Sequence, residues 1–415
     1  MQRTTMETIQ WFIFLLASAV AMPIVIGSVY EMNFAEVSGL MQRTFFVVGL
    51  ASMLQAVFGH RLPIMEGPAG IWVSIFTVMA ATGGSLMQLE TTMILTGIFL
   101  MLIGVFKISS KILPIFTPLV TGTFFFLLTV QLSGTFLEGM LGLQGSSTIQ
   151  LADASIAFVT FAIVLGLSTF AKGWLKSYGV FIGIMLGWLM YAPIAGGQPV
   201  GEDLRLFAVP DVFAFGMPVL DWSVVPIAFV TAIILISNVV ASVIAVSQTV
   251  GDTNGGSGTQ VNRGTFTSGV NHGLAGVFSS IANVPLATSA GFIGLTGQKQ
   301  KWPFVYASII LMAVAFFPPV VTFISAIPAP IANAALMATF VQLVGLAIRN
   351  VTMTELDSRK VTIVGVAYLI GMGTMFLPAE VFAEFPSFLQ NLLSNGLLVG
   401  TGLVIVIEQL WKSES

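Results

Sequence analysis

The sequence predicts an all-α polytopic membrane protein. Three observations support this fold class: the composition, the length of the apolar runs and the placement of the charges. Of 415 residues, 56% are hydrophobic and 8% are charged, and the mean hydropathy is +0.97. A soluble domain has about 25% charged residues, so most of the outer surface has to face lipid. The apolar runs match the roughly 20 residues that one bilayer crossing needs. Lipid offers the backbone no hydrogen-bond partners, and runs without period-two alternation favour helices.

Fourteen apolar segments are candidate membrane spans, although 112–140 and 378–410 can each be divided in more than one way. The predicted spans are 11–30, 38–59, 64–82, 90–106, 112–134, 155–171, 178–194, 223–250, 266–282, 284–297, 302–323, 330–349, 361–378 and 385–410. We expect the first to be a retained span and not a signal peptide, because no small-residue cleavage signature accompanies it.

The basic residues test this span count, because short cytoplasmic loops are enriched in Lys and Arg. With the amino terminus inside, 13 of the 15 basic residues fall in cytoplasmic loops or at cytoplasmic span ends. The other two are Arg205, which lies in an external loop, and Arg43, which lies just inside the outer end of the second span. The 13 are Arg3, Arg61, Lys107, Lys111, Lys172, Lys176, Arg263, Lys299, Lys301, Arg349, Arg359, Lys360 and Lys412. The external loops carry the acidic residues Glu31, Glu36, Glu90, Glu138, Asp153, Glu202, Asp203, Glu380 and Glu384. Both termini are therefore predicted to be cytoplasmic, in a protein of the cell membrane.

Fourteen spans divide into two repeats of seven, and an odd number inverts the second repeat in the membrane, as is common in secondary transporters. The predicted repeats are residues 1–194 and 223–415, joined by an external linker at 195–222. Spans three and ten are equivalent in this arrangement, and both begin with proline and small residues, at 61–70 and 283–291. Paired broken segments point to a binding site, so we expect these two segments to form its walls.

Residue content disfavours several other function classes. The chain has no Cys, which rules out disulfides and thiolate metal sites. His60 and His272 are the two histidines, too few for a haem or a multi-histidine metal centre, so neither cofactor nor metal is expected. No basic tract indicates nucleic acid. A membrane-embedded enzyme would need a histidine cluster or several intramembrane acids, while a passive channel stays open as an alternative.

Glu66 stands inside the first broken segment, beside Gly67, Pro68 and Gly70. A carboxylate at membrane depth is costly unless it is paired or hydrated, and it is therefore a functional candidate. We expect Glu66 to contribute to substrate binding or to proton coupling. The alternative places it at the cytoplasmic rim, solvated and close to Arg61.

The end of span eight carries a second polar group. Gln248 offers both donor and acceptor atoms, which suits an amide-like edge of a substrate. Asp252 follows four residues later on the same side of the helix, and it is a candidate for proton or cation coupling. The alternative is that Asp252 only caps the turn that follows.

Spans nine and ten add uncharged candidates. Asn271 and His272 precede a run of small residues, which indicates mainly a helix-packing face. His272 is a candidate proton relay, with a satisfied core histidine as the alternative. Asn283, Thr288 and Ser289 in the second broken segment either bind a neutral heterocycle or satisfy freed backbone groups.

Three motifs carry a resemblance to a known family: Leu62-Pro63…Gly67 in span three, Thr249-Val-Gly-Asp252 after span eight, and Asn283-x-Pro285…Gly291-Phe-Ile-Gly-Leu-Thr-Gly297 in span ten. At these positions the sequence resembles the nucleobase–cation symporters, also called nucleobase–ascorbate transporters, which include bacterial uracil and xanthine permeases. The similarity covers nearly the whole chain in length and span layout.

The resemblance implies a core domain that moves against a gate domain, with short extended strands at the broken spans three and ten. It implies uptake of a nucleobase by proton symport, with sodium as the alternative ion. The base would be a purine such as xanthine, urate, guanine or hypoxanthine, or else uracil. It would bind through Gln248, Thr288, Ser289 and the backbone amides near Gly70 and Gly291. A homodimer is one assembly that the sequence leaves open.

The sequence departs from the family pattern at the proposed site. The family usually has Glu at the position of Gln248, and Glu or Gln followed by Asn at the positions of Thr288 and Ser289. Glu66 is acidic where the family is often small or apolar, whereas Asp252 fits the purine-transporting pattern. Either the acid has moved across the site to Glu66, or the substrate differs from uracil and xanthine.

A sulfate-permease-like anion transporter is the main rival, because it shares the span number and the broken helices. In such a protein, facing helix N-termini would bind the anion. The absence of Lys and Arg from the membrane-embedded part of the breaks, together with the added Glu66, argues against it.

Overall fold

The computed structural model describes residues 2–143, 146–193, 205–252, 257–382 and 384–411. Within these ranges the chain forms 18 α-helices and two strands of three residues each. Some predicted features lie outside the described residues: the linker from 195 to 204 with its acids Glu202 and Asp203, and the basic residue Lys412.

The first half of the chain contains α1 (Gln2–Val29), α2 (Phe34–Val57), β1 (Glu66–Pro68), α3 (Gly70–Ala81), α4 (Leu86–Val105), α5 (Ser109–Ile112), α6 (Pro118–Met140), α7 (Leu151–Phe170), α8 (Trp174–Ser177) and α9 (Gly179–Tyr191). The second half repeats this order, with a strand and a short helix after two long helices. It contains α10 (Val225–Val250), α11 (Gly258–Val277), β2 (Asn283–Pro285), α12 (Thr288–Thr296), α13 (Lys301–Val314), α14 (Pro318–Ser325), α15 (Ala329–Val351), α16 (Ser358–Met375), α17 (Ser387–Leu393) and α18 (Gly396–Leu410).

Several of these helices are apolar enough to cross a membrane. Among the described residues, seven helices qualify by length and composition, and the bent pair α13–α14 would be an eighth span. Helices α3, α9 and α18 are apolar but shorter. The chain is therefore an integral membrane protein, whose short apolar helices lie at the broken segments and near the ends of the two halves.

The predicted span 112–134 is displaced in the structure. Helix α6 begins at Pro118, because the Thr117 side chain accepts the Val120 N–H at 3.2 Å and proline suits the first helical position, where no donor is needed. The residues before it form α5 and a 3-10 turn at 113–115. The apolar residues of this short connection hid the boundary from hydropathy.

The predicted span 302–323 is not one helix, which corrects the sequence interpretation. Helices α13 and α14 meet at an angle of 92° across a short break. Pro318 and Pro319 lack backbone N–H groups, and proline restricts the residue before it to extended backbone, so α13 cannot continue straight into α14. The predicted span 385–410 is likewise divided into α17 and α18, and Asn395 caps α18 by accepting the Leu398 N–H at 3.2 Å.

The predicted span 266–282 begins and ends earlier than expected. Helix α11 starts at Gly258, capped by the Ser257 side chain, and its polar first turns gave no hydropathy signal. It ends at Val277, and Ser279 then takes left-handed backbone geometry with φ 46°. The chain leaves the helix there and runs into β2.

Helix contacts sort the bundle into two groups. Helices α1, α2 and α4 pack with α10, α11 and α13, and α12 packs on α10, whereas α6, α7 and α9 pack with α15, α16 and α18. Helix α1 also contacts α15 of the second group. Strand β1 contacts α1 and α2, and β2 contacts α10 and α11. The two strands therefore lie inside the first group, and α3 reaches from β1 to contact α6 of the second group.

Glycine allows the closest helix approach in the first group, between α4 and α11. A Cβ added at Gly97 would lie 2.6 Å from the Gly269 carbonyl oxygen, and one added at Gly269 would lie 2.5 Å from the Gly97 carbonyl oxygen. No larger residue fits either position without moving a backbone. The small residues of span nine therefore pack against a neighbouring helix.

The described part of the linker lies against the first group. Gln42 of α2 donates its side-chain amide to the Ala208 carbonyl oxygen at 3.2 Å. The Phe213 N–H donates to the Val277 carbonyl oxygen at 2.8 Å. Residues 205–221 are thus held against the end of the bundle where α2 begins and α11 ends.

Asp221 fixes the end of this linker to α4. Its carboxylate accepts the Ser223 N–H at 2.8 Å and the Gln88 side-chain amide at 2.7 Å. These hydrogen bonds, from Ser223 first and then from Gln88, lower the pKa of Asp221. Asp221 therefore stays ionised as it begins the turn that leads into α10.

We predict that Gly269→Ala destabilises the protein, because its new methyl group would press on the α4 backbone, and overpacking of this kind costs about 1–3 kcal/mol. The measurement is the thermal unfolding midpoint of the detergent-solubilised protein. Gly273→Ala on the same helix is the matched control, since its Cβ would meet no atom within 4 Å. Equal midpoints for the two variants would contradict the packing account.

Candidate functional site

The two strands form a small antiparallel sheet between the broken segments. Glu66 is opposite Pro285, and Pro68 is opposite Asn283. All six strand residues are buried. Proline in each strand has no N–H to donate, so the sheet alone cannot bond all of its backbone groups.

Backbone groups beside the strands extend the pairing. The Ala69 N–H donates to the Ala282 carbonyl oxygen at 3.2 Å, and the Leu286 N–H donates to the Met65 carbonyl oxygen at 2.8 Å. Residues 65–69 and 282–286 therefore bond to each other along their whole length, and neither broken segment is continuous helix.

Three buried serine hydroxyls complete the bonding of these segments from neighbouring helices. Ser52 accepts the Glu66 N–H at 3.0 Å, Ser242 donates to the Pro285 carbonyl oxygen at 2.7 Å, and Ser289 accepts the Met65 N–H at 3.0 Å. All three serine residues are completely buried. The strands are thus attached to α2, α10 and α12 by specific hydrogen bonds.

Helices α3 and α12 start at opposite ends of this sheet. Their N-cap residues, Ala69 and Ala287, make no side-chain cap bond. The first amides of a helix have no partner inside the helix and carry its positive dipole end. Two such starts offer donors to a polar ligand between them.

The start of α3 faces the second helix group. A Cβ on Gly70 would lie 3.2 Å from the Phe340 ring of α15 and 3.4 Å from Leu128 of α6. Glycine therefore lets the backbone of α3 approach the apolar side chains of these two helices. A ligand at this point would lie between the two groups.

The opposite wall is more open. Thr288 and Gly291 of α12 are exposed, and so is Gln248 at the end of α10. Helix α10 contacts both α12 and β2. The structure thus places three of the predicted substrate-binding residues on two adjoining helices, and all three are exposed.

Ser289 is in a different situation, because it is fully buried and its hydroxyl accepts the Met65 N–H. Of the two roles left open for it by the sequence, satisfying a freed backbone group is the one that its contacts support. The adjacent Thr288, being exposed, is the residue of this pair that can reach a ligand.

Glu66 is completely buried and does not lie at a solvated rim. Neither carboxylate oxygen makes a well-formed hydrogen bond. The nearest polar side chains are Asn271, which lies within interaction range, and His60, whose Nε2 is 3.9 Å from Glu66 Oε1. Arg61 is exposed, so the alternative that pairs it with a hydrated Glu66 is not supported.

Asp252 is half-buried just after α10, beyond the C-terminal turn at Gly251. Its Oδ2 accepts the Gln260 side-chain amide at 3.4 Å. The same amide donates to the His60 carbonyl oxygen at 3.0 Å. Gln260 therefore links Asp252 to the segment that leads into β1; the turn after Asp252 lies outside the described residues.

His272 has a partner at each ring nitrogen. Its Nε2 accepts the Trp72 indole N–H at 3.1 Å, and its Nδ1 is 2.7 Å from the Ser268 carbonyl oxygen. A neutral ring with its proton on Nδ1 satisfies both contacts. These contacts support the alternative of a satisfied core histidine over that of a proton relay.

Arg43 and Glu90 form a buried polar group that the sequence did not reveal. Glu90 was expected in an external loop, but it lies in α4 and is fully buried. It accepts the Ser279 hydroxyl, and the Arg43 Nε donates to the Ser279 carbonyl oxygen at 3.1 Å. Arg43 also lies 5.3 Å from the centre of the Phe215 ring. The signal that could have found this group is a charge inside a predicted span, which requires a partner.

Within the described ranges, no three His, Asp or Glu side chains are grouped closely enough to hold a metal ion.

The family model Xan_ur_permease, described as "Permease family", matches residues 2–380. The chain belongs to the nucleobase–ascorbate transporter family. Its members are permeases and not enzymes, so this chain is a membrane permease.

Two curated relatives match over nearly the full chain. The protein named "Putative purine permease YwdJ" from Bacillus subtilis (strain 168) is 29% identical, over 99% of this chain and 97% of its own length. The xanthine permease of the same organism is 25% identical, over 97% of this chain and 92% of its own length. Both alignments cover the broken segments and the helices around them.

A solved structure shares the fold. The transmembrane domain of the cyanobacterium bicarbonate transporter BicA superposes with a TM-score of 0.67 at 13% identity, over 98% of each chain. At this identity the likeness concerns architecture alone. Transporters of this fold therefore include one for a small anion, and the fold by itself does not select a substrate.

We predict that Ser289→Ala lowers the thermal unfolding midpoint, because it leaves the buried Met65 N–H without its acceptor, at a cost of about 1–3 kcal/mol. Thr288→Ala is the matched control: the residue is adjacent, exposed, and not needed to hold β1. The check is thermal unfolding of both purified variants. A loss of stability in Thr288→Ala that equals the loss in Ser289→Ala would contradict the assignment.

Proposed function

We propose that the protein is a secondary active transporter that takes up a nucleobase by proton symport with alternating access. The base would be a purine such as xanthine, urate, guanine or hypoxanthine, or else uracil. One observation carries the proposal: two interrupted spans bond to each other in the middle of the helix bundle, with uncapped helix starts and exposed polar side chains beside them. The family match and the purine and xanthine permeases among the relatives support the choice of a base.

The proposed membrane arrangement has fourteen spans in two inverted repeats, 1–194 and 223–415, with the linker 195–222 outside the cell and both termini in the cytoplasm. The repeated element order and the antiparallel pairing of β1 with β2 support it. Oppositely inserted repeats would bring equivalent broken segments together head to tail, as an antiparallel pair requires. In this orientation His60 and Asp252 lie at the cytoplasmic ends of α2 and α10.

The base would bind between the starts of α3 and α12. Gln248 and Thr288 present side-chain donors and acceptors, and the amides near Gly70 and Gly291 add backbone donors. A planar heterocycle has alternating carbonyl and N–H groups at its edge, which match such a set. The apolar residues Phe340 and Leu128 would cover one side of the ring.

Glu66 is the stronger of the two candidates for proton coupling. An ionised carboxylate without partners is costly in a buried site, whereas the neutral acid is tolerated. Binding and release of a proton at Glu66 would therefore change the stability of this packed conformation. Asp252 is half-buried just after α10, and its carboxylate bonds to the Gln260 side chain instead of lying at the strands. A proton shifts the balance between outward-open and inward-open states only through different affinity for the two.

The two helix groups supply the moving parts of this mechanism. The first group carries the strands, the half-length helices and Glu66, and the second contributes α6 and α15 to the far side of the site. Movement of one group against the other would expose the base to each side in turn. The described linker residues 205–221 are held to the first group and would move with it.

We predict that cells without their own base permeases accumulate labelled xanthine, urate or another purine when they express this protein, and that the accumulation collapses with the proton gradient. The measurement is uptake of radiolabelled bases with and without a protonophore. Excess unlabelled base should compete, and sulfate or bicarbonate should not. Competition by the anions alone would favour the rival transporter, and equilibration without accumulation would indicate a passive channel.

We predict that Gln248→Ala weakens purine binding about two- to tenfold, because it removes a hydrogen bond worth about 0.5–1.5 kcal/mol. The check is a thermal-shift titration of purified protein with the transported base, since a ligand that binds the folded form raises its melting point. Thr249→Val is the neighbouring control, because the Thr249 hydroxyl donates to Ala245 within its own helix. Equal affinity in wild type and Gln248→Ala would remove Gln248 from the site.

A further inference from the structure

Four buried polar side chains on and beside the strands are short of hydrogen-bond partners. These residues, here called the Glu66 cluster, are His60, Glu66, Asn271 and Asn283, each 0–1% exposed. No partner is found for His60 Nε2, for either oxygen of Glu66, or for either side-chain polar atom of Asn271 and Asn283. Buried polar groups in folded proteins are nearly always bonded, so this concentration calls for a function.

The sheet register places part of this cluster on one face. Glu66 is opposite Pro285, and Asn283 is opposite Pro68. Residues two apart on a strand share a face, and directly opposite residues do too. Glu66 and Asn283 are therefore diagonal neighbours on the same face, while α11 contributes Asn271, which lies within interaction range of Glu66.

The tautomer of His60 follows from its backbone contact. The Leu62 N–H donates to His60 Nδ1 at 3.1 Å, so Nδ1 has a free lone pair and the neutral ring carries its proton on Nε2. That N–H is on the nitrogen nearest to Glu66 Oε1, at 3.9 Å. The gap is about 1 Å too long for a hydrogen bond, so a small movement of the ring would make the bond.

The cluster can serve both protonation states of Glu66. An ionised carboxylate only accepts hydrogen bonds, and the available donors are His60 Nε2–H and the two asparagine NH₂ groups. A neutral carboxylic acid also donates, and an asparagine oxygen can accept from it. A reversible proton site needs such partners for each state.

His60 separates Glu66 from the surface. Arg61, the next residue, is exposed and has left-handed backbone geometry with φ 64°, which turns the chain inward. The His60 carbonyl oxygen is held by the Gln260 amide, which also bonds to the half-buried Asp252. The backbone of His60 is thus held at the end of the bundle that carries Asp252, and the imidazole lies between that end and the Glu66 carboxyl group.

Among the described residues that pack around β1, no other charged side chain forms an ion pair with Glu66. Lys301 of α13 lies nearest along α2, where it donates to the Ala56 carbonyl oxygen at 3.5 Å, four residues or about 6 Å beyond Ser52. Glu66 is level with Ser52 of α2, and Arg43 is nine residues earlier, about 14 Å along the helix. Glu36 is farther still. On α11, Arg263 is eight residues before Asn271, about 12 Å away along the helix, and both nitrogens of His272 are engaged. On α1, Glu7 lies in the second turn and has a partner of its own.

We propose that His60 is a positioning residue for proton exchange at Glu66: its Nε2–H closes onto the carboxylate when Glu66 is ionised and withdraws when Glu66 is protonated. The proposal rests on the proposed function, because it assigns a role within proton-coupled transport. His60 would stabilise the ionised form, and release of the proton toward the cytoplasm would pass the imidazole. Gln260 bonds to the backbone carbonyl oxygen of His60 and so anchors the residue, while the Leu62 N–H at Nδ1 keeps the ring proton on Nε2.

Two substitutions at His60 separate its donor from its bulk. The side-chain amide of Gln reaches the position of Nε2, so His60→Gln keeps a donor toward Glu66. The amide of Asn ends near the position of Nδ1, so His60→Asn removes that donor. We expect His60→Asn to move the midpoint of the pH dependence of base exchange to higher pH by about one unit, because loss of a hydrogen bond to a charged group favours the protonated acid. We expect His60→Gln to remain close to wild type.

The assay measures exchange of labelled base across the membrane of proteoliposomes, with equal pH on both sides, from pH 5 to pH 9. The proteins compared are wild type, both His60 variants, Glu66→Gln and the double variant Glu66→Gln with His60→Asn. Thermal unfolding and base binding of each variant check that it is folded. In the Glu66→Gln background, His60→Asn should cause no further change of the pH profile.

Three results would overturn the proposal. The first is an equal pH midpoint for folded His60→Asn and wild type, and the second is a midpoint shift of the same size when His60→Asn is added to Glu66→Gln. The third is exchange that depends on the sodium concentration and does not change with pH. Failure of the proposed function looks different. In that case wild-type protein exchanges no purine and no uracil at any pH, and none of these bases raises its melting point.

Discussion

Inside a bilayer, each backbone N–H and C=O that leaves a helix must be bonded by the protein itself, and the two interrupted spans of this permease meet that requirement by bonding to each other. Strands β1 and β2 pair, and residues on both sides extend the pairing. Serines from α2 and α12 accept the Glu66 and Met65 N–H groups, and a serine from α10 donates to the Pro285 carbonyl oxygen. The first helix group is arranged around this small sheet. The close approach of α4 to α11, made possible by Gly97 and Gly269, belongs to the same compact group.

The sheet also creates the site. Because each strand is followed by a half-length helix, two helix starts lie within the bundle where an unbroken span would present only side chains. The start of α3 faces Phe340 and Leu128 of the second group, and the start of α12 adjoins the exposed Gln248. In the proposed mechanism, a solute held there would contact both groups, so its binding would influence how they move relative to each other. The Glu66 cluster lies among the same elements, where a change of charge would be felt directly by the strands that carry the site.

The sequence located the broken segments, but it could not assign the roles of single side chains within them. Glu66 was recognised as unusual from its position, yet only its complete burial in the structure shows that it is not a solvated rim residue. For Ser289 the sequence left two roles open, substrate binding and the bonding of freed backbone groups, and its hydroxyl accepts the Met65 N–H. Arg43 and Glu90 were read as separate charges near an outer surface, and they meet through Ser279, which belongs to a distant part of the chain. Each of these outcomes depends on a partner far away in sequence, which local patterns do not report.

Composition, apolar run length and the placement of proline determined from the sequence alone that this chain is a helical membrane protein with two interrupted spans, because the bilayer imposes those features on any sequence that crosses it. The family motifs added the expectation of a permease. Only the tertiary structure decided where helices break at Pro318 and start at Gly258, which hydroxyls hold the strands, and which polar groups remain without partners around Glu66. These are decided by packing between segments more than two hundred residues apart, such as Met65 and Ser289, and no local property of either segment encodes that contact.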